Sequence, residues 1–179
     1  MILVHEEETR EKAVKDVAER MALAARTAPK ARGIDNLAIA FAHKETIRLI
    51  ALKMKGMAEN GLASDFFIRD ANNILQSEVL FLIGTKIAIS ELKYCGLCGY
   101  ANCEEKQRHP SHPCVFNTGD LGIAIGSAVS VAMDARVDNR IMYSVGMAVR
   151  EMKLMGADIK IIYGIPLSCS GKNLFFDRK

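Results

Sequence analysis

Four of the chain's five cysteines, Cys95, Cys98, Cys103 and Cys114, lie in one short stretch with the spacing C-x2-C-x4-C-x10-C. No other feature restricts the fold as much, because a chain that gathers four thiols must keep a loop open to wrap whatever they bind. A disulfide framework would spread paired cysteines through a short secreted chain, and five is an odd number. Clustered thiols point to metal instead. Four thiolates are the whole ligand set of a 4Fe–4S cubane, one per iron. Gly96 and Gly99 follow the first two cysteines directly, where missing side chains let the backbone wrap a cluster and aim N–H groups at its sulfurs.

Zinc is the competing metal, since it also takes four cysteines in tetrahedral geometry. Zinc ribbons usually offer two C-x2-C knuckles, and this chain has one, with Cys103 and Cys114 as single ligands. The spacing favours the iron–sulfur cluster and leaves structural zinc as the alternative. His109 and His112 lie in the same stretch and are ligand types too, but four thiols already fill a site, and the neighbouring Pro110 and Pro113 read as turns. Cys169 is too remote in sequence for spacing to place it and reads as an inert single thiol.

Charge and composition narrow the partners. The formal charge of +3 comes from 24 basic and 21 acidic side chains that are interspersed, so no basic stripe is available to neutralise a phosphate backbone. Nucleic acid is not an expected partner. The opening residues lead into Glu6-Glu7-Glu8 with neither a basic start nor a long apolar run, so no signal peptide is expected, and the chain is assigned to the cytoplasm, an anaerobic one if the cluster is present. The apolar runs at 79–83 and 123–135 are too short or too interrupted for a bilayer of about 30 Å, so no membrane partner is expected. One domain over 1–179 is expected, with the cysteine loop at about 94–117.

Hydrophobic periodicity predicts helices over 6–27, 46–60, 65–75, 120–135 and 139–155. Asn60-Gly61 supplies a left-handed stop for the second of them. Short apolar runs predict buried strands at 37–42, at 79–83 closed by Gly84, and at 159–163, with an irregular tail after Pro166. The class is α+β, a small, mainly antiparallel sheet flanked by about five helices. The helix from Asp120 is rich in Gly, Ala and Ser, a composition that permits very close packing.

No G-x-S-x-G elbow, Walker sequence or G-x-G-x-x-G fingerprint follows a strand. The acids Glu104-Glu105, and Asp134 with Asp138, read as surface charges rather than an acid/base pair. Arg26, Lys30 and Arg32 around a helix end can pair with a phosphate, although isolated loop cations are more often simply solvated.

At this point a resemblance enters. Cys95-Gly96-Leu97-Cys98-Gly99 with Cys103 and Cys114, then Gly119-Asp120-Leu121-Gly122-Ile123-Ala124, and the tail Gly171-Lys172-Asn173-Leu174-Phe175-Phe176-Asp177-Arg178, resemble the ferredoxin-domain proteins of bacteria and archaea over nearly the whole chain. The cysteine motif is also similar to the four-cysteine motif of the corrinoid iron–sulfur protein, which implies a 4Fe–4S cluster at the matching positions. A second resemblance is to the nitroreductase fold, through Ala25-Arg26-Thr27-Ala28-Pro29 with Asn36, the alanine-rich helix from Asp120 and the strand before Pro166. It implies a nitroreductase-like sheet, a homodimer, and FMN held near Arg26, Lys30 and Asn36. This chain differs from that pattern at Lys30, where a serine is common, and lacks an Arg-Arg-Ser opening. Lys172 and Arg178 are comparable phosphate candidates and read more readily as fastening the tail or a dimer partner, with Asp177 as a partner for one of them.

The expected function is a 4Fe–4S redox protein, an electron carrier or a flavin-linked oxidoreductase acting with a redox partner protein or a small-molecule substrate. The alternative is a structural zinc module without redox activity.

Overall fold

The structure is a computed structural model and describes residues 3–176. Its centre is a four-stranded sheet of order β1-β2-β4-β3, antiparallel throughout, formed by β1 (Leu37–Ala42), β2 (Val79–Lys86), β3 (Asp138–Asn139) and β4 (Ile159–Ser168). The described residues also form six α-helices: α1 (Glu7–Thr27), α2 (Lys44–Glu59), α3 (Phe66–Ile74), α5 (Val115–Asp134) and α6 (Tyr143–Glu151) in the packed body, and the short α4 (Cys103–Gln107) in the cysteine segment.

The sheet is sandwiched because β2 is apolar on both sides. Leu80 and Leu82 point into a core shared with α2, α3 and α6, while Val79, Phe81 and Ile83 point into a second core shared with α1 and α5. This alternation over a continuous apolar run marks a strand covered on both faces. Helix α1 presents Val14, Ala18, Met21 and Ala25 to the second core at helical spacing. Helix α6 lies almost on β4: a Cβ at Gly146 would sit 1.7 Å from the Ile162 carbonyl oxygen, and one at Gly164 would meet Val145 at 2.2 Å.

Several boundaries differ from the sequence expectation, each for a physical reason. Strand β1 is an edge strand, so it is only partly buried, with Phe41 exposed. Gly84 does not close β2 but lies inside it, where a Cβ would stand 2.7 Å from the Ile161 carbonyl oxygen. Strand β4 runs on through Pro166 to Ser168. Proline is tolerated there because β3 pairs only at Leu167 and Ser168 and the next bridge is Met142 with Gly164, so no neighbour on that side calls for an N–H at 166. The first residues expected in α6 form β3 and that bridge instead. The tail is fastened: Phe175 is buried, its carbonyl accepts from Arg140 at 2.8 Å, and Asn173 donates to Asp138 at 3.0 Å. Asp177 and Arg178 lie outside the described residues.

Helix α5 begins five residues before the expected start, directly after Cys114. At 20 residues and a mean hydropathy of 1.3 it is long and apolar enough, by length and composition, to cross a bilayer, which the shorter run read from sequence was not. Leu121, Ala124, Ile125, Ala128 and Ala132 are buried, whereas Ile123 and Met133 face outward beside Gly119, Gly122 and Gly126.

Candidate metal centre

The cysteine segment leaves β2 at Lys86 and returns to the fold at α5. It is not all loop. Cys95 and Cys98 lie in turns, with Gly96 and Gly99 at φ of 152° and 88° and the Gly99 N–H donating to the Gly96 carbonyl at 3.0 Å. Glycine is the residue that holds such backbone without strain. Cys103 opens the five-residue helix α4, which Asn102 caps by accepting from the Glu105 N–H at 2.9 Å. Glu105 in turn accepts from the Ala101 N–H, one residue before the N-cap, at 2.7 Å, so this acid fastens the chain entering α4. Glu104 pairs with Arg108 on the surface at 3.6 Å.

Cys114 occupies the N-cap of α5 and is buried, while Cys95, Cys98 and Cys103 are half-buried. Its sulfur lies 3.5 Å from the buried Ser90 hydroxyl. Burial alone would raise this thiol. The Ser90 hydroxyl, with backbone hydrogen bonds from Phe116, Asn117 and Ser90, outweighs burial and holds it below the ordinary thiol value. Asn117 also ties the incoming chain down by accepting from the Ala88 N–H at 2.8 Å.

All four thiols are free, and no group of three or more Cys, His, Asp or Glu side chains converges as a metal site among the described residues. The segment supplies the donor set without closing it. One feature fits an anionic group nearby: Lys106 in α4 is buried, at 2% exposure, and no carboxylate pairs with it among the described residues. A cation on the helix that Cys103 opens suits the charge of four thiolates around iron. Tyr100, His109 and His112 form their own cluster, with Tyr100 and His109 stacked at 5.0 Å, His109 and His112 at 5.4 Å, and the Tyr100 hydroxyl bonded to His112 Nδ1. The two histidines therefore have ring partners within the segment. Cys169 follows the far end of β4, opposite the end where Ile159 pairs with Lys86.

The residues expected to hold FMN gather around the end of α1. Lys30 turns back on the helix and donates to the carbonyls of Ala25, Arg26 and Ala28 at 3.0, 2.6 and 2.7 Å, a cation capping the negative end of the dipole. Arg26 donates to Asp35 at 2.6 Å and to the Leu37 carbonyl at 3.2 Å. Arg32, in left-handed backbone at φ 56°, reaches the Ser90 carbonyl at 3.0 Å. Asn36 is partly buried; its carbonyl accepts from the Lys86 N–H at 3.2 Å and the Thr85 hydroxyl at 3.3 Å, and its side-chain amide has no hydrogen bond among the described residues. The cations at this end are thus engaged with the protein's own carbonyls and carboxylates among the described residues.

Comparison with known proteins places this geometry. Residues 111–178 match the family described as "uncharacterized protein containing a ferredoxin domain" (DUF2148). An uncharacterized protein of Archaeoglobus fulgidus is 38% identical over 184 residues, covering 99% of this chain and 98% of that one. The chain belongs to this ferredoxin-domain family. The family match contains Cys114 and begins after the other three cysteines. Among solved structures, the chain is similar to a nitroreductase family protein from Clostridium novyi NT, with TM-score 0.60 and 12% identity over 97% of this chain and 81% of that one. An oxidoreductase containing FMN gives 0.58 and 16% over 88% and 68%. A BluB-like flavoprotein from Clostridium difficile 630 gives 0.55 and 18% over 99% and 86%. At these identities the likeness shows the fold, so this ferredoxin-domain chain has a nitroreductase-like α+β architecture.

Sequence reasoning missed Ser90, Lys106 and Asn117. Asn117 was hidden because the helix was expected to start at 120, whereas it starts directly after Cys114. Nothing local marks Ser90 or Lys106, whose burial depends on the chain's return to α5.

Proposed function

We propose that this protein binds a 4Fe–4S cluster through Cys95, Cys98, Cys103 and Cys114 and acts in redox chemistry, as an electron carrier or a flavin-linked oxidoreductase. The observation that carries the proposal is four free thiols on one segment, the last seated among hydrogen-bond donors at the head of α5. Lys106, on the helix that Cys103 opens, adds a positive charge beside them. Bound, a cluster supplies one-electron exchange at a potential within roughly −700 to +450 mV. The chain's own residues orient Cys114, donate hydrogen bonds to its sulfur and shield it from solvent on the Ser90 side.

Tyr94 and Leu97 stand 97% and 72% exposed beside Cys95 and Cys98, which suits a redox partner protein approaching the metal directly. The flavin part rests on the fold together with Arg26, Lys30 and Asn36, and requires Arg26 or Lys30 to leave its present carbonyl partners. The outward Gly119, Gly122, Gly126, Ile123 and Met133 of α5 suit a second copy of the chain, as a homodimer. The proposed setting is an anaerobic cytoplasm.

The test is anaerobic purification followed by iron, sulfide, zinc and flavin analysis, with absorption spectra before and after dithionite. About four irons and four sulfides per chain with a broad band that bleaches is the expected result. One zinc and no sulfide, even after attempted reconstitution, would replace the redox reading with the structural zinc module.

A further inference from the structure

A cleft of about 880 Å³ opens where β2 and β4 begin to part, between the end of α6 and the cysteine segment. That volume lies in the range of small-molecule sites, roughly 300–1,000 Å³. Its lining has two chemistries. Ile87, Ile161, Pro110 and Pro113 provide apolar walls, and Lys86, Arg150, Lys153 and Lys160 provide cations against the single acid Asp158. Lys86 and Asp158 neutralise each other at 2.8 Å. The remaining excess is three positive charges, two at the end of α6 and one on β4.

The backbone is shaped to present them. The register of β2 with β4 slips between Thr85 and Lys86, so that Thr85 opposes Ile161, Lys86 opposes Ile159, and Lys160 is the extra residue of a β-bulge. The bulge keeps Ile159 in the same core as Ile162, and leaves Lys160 out of the pairing. Lys153 follows α6 in left-handed backbone, φ 55°, and its side chain has no partner among the described residues. Arg150 is held only by a long contact to Glu151 at 3.8 Å. Lys160 donates one of its three hydrogens to the Ala157 carbonyl at 2.7 Å, which leaves two.

We propose that this cleft binds a small organic phosphate, its phosphate met by Arg150, Lys153 and Lys160 and its apolar body laid against Ile87, Ile161 and the two prolines. An Arg fork takes phosphate oxygens in pairs, and lysines add point charges. Concavity and volume favour a small molecule over an acidic protein surface. An occupant touching Pro110 and Pro113 lies against the segment that ends in Cys114, but its binding does not depend on the redox reading.

Calorimetric titration of the full chain tests this, with 1-naphthyl phosphate, inorganic phosphate and 1-naphthol as probes. Saturable binding of naphthyl phosphate at one site per chain is expected, with inorganic phosphate and naphthol each at least about tenfold weaker, since each lacks half of the contacts. Arg150→Gln and Lys153→Gln, both partly exposed and outside the core, are each expected to weaken naphthyl phosphate by about tenfold at unchanged circular dichroism. No saturable binding, equal affinity for inorganic phosphate, or unchanged affinity in both variants would overturn the proposal. The titration is run with and without reconstituted iron. Intact binding in protein that fails to take up iron supports the cleft while removing the cluster, and absent binding in cluster-loaded protein does the reverse.

Discussion

Strand β2 keeps every residue from Val79 to Thr85 out of solvent between two helical layers, whereas the stretch with Cys95, Cys98 and Cys103 leaves each thiol half-buried beside exposed Tyr94 and Leu97. The first region takes its shape from apolar burial, the dominant favourable term in folding. The second has little apolar surface to bury, and is held by turn hydrogen bonds and the Asn102 and Glu105 side-chain bonds at the start of α4. The contrast separates what the chain needs in order to fold from what it offers to a ligand.

The strongest way to break this contrast is at the α6–β4 contact. Gly146→Ala places a methyl against the Ile162 carbonyl at a distance no packing accommodates, so α6 must lift from the sheet. A loss of more than about 3 kcal/mol in urea unfolding is expected. Near-normal stability would mean that the core tolerates rearrangement and is not the rigid half of the pair. Cys103→Ser probes the other half. It should remove most of the iron bound after reconstitution while shifting the unfolding free energy of metal-free protein by no more than about 0.5 kcal/mol. A large shift in the metal-free protein would show that the thiols already support the fold.

A smaller effect is expected inside the core, where polar groups are buried in pairs. Ser144 donates to Asp70 Oδ2 at 2.6 Å, both residues being nearly inaccessible, and Arg69 holds Oδ1 at 2.8 Å, so α3 and α6 are latched across the sheet's helical cover. Ser144→Ala strands one carboxylate oxygen, for an expected loss of about 1–2 kcal/mol in thermal or urea unfolding. An unchanged midpoint would show that water replaces the hydroxyl.

Periodicity made most of the scaffold legible. The face of α1 carrying Val14, Ala18 and Met21, the stop at Asn60-Gly61, where Gly61 has φ of 71°, and the strand from Val79 could all be read from single stretches, because local pattern and tertiary demand agree there. What could not be read depended on a distant partner. Gly84 looks like a terminator until Ile161 is placed beside it, and Pro166 looks like one until β3 proves too short to reach it. The four cysteines stand out in the sequence by type and spacing, yet neither spacing nor residue type indicated that Lys106 would be buried, or that Lys30 would cap its own helix. The cleft was equally hidden, since its cations come from β2, β4 and the end of α6.

The weakest expected effect lies away from both regions, where Arg26 and Asp35 fix the passage from α1 into β1. Burial raises the Asp35 carboxyl, but the Arg26 guanidinium and the Leu37 N–H outweigh it and hold the group below the ordinary carboxylate range. A carboxyl depressed in the folded state contributes stability that is fully present above its unfolded value, about 3.9, and is lost as the pH falls through the folded value. The pair is partly exposed, at 48% and 29% of the two side chains, so its contribution should be only about 0.5 kcal/mol and screened by salt. Asp35→Asn should therefore lower stability slightly at neutral pH and flatten the acid limb below about pH 4, in urea unfolding followed across pH at low salt. If the variant and the parent lose stability in parallel on acidification, the Arg26 contact carries none of it. Lys30 and the Leu37 backbone would then hold this joint, and Arg26 would be free to turn toward a phosphate.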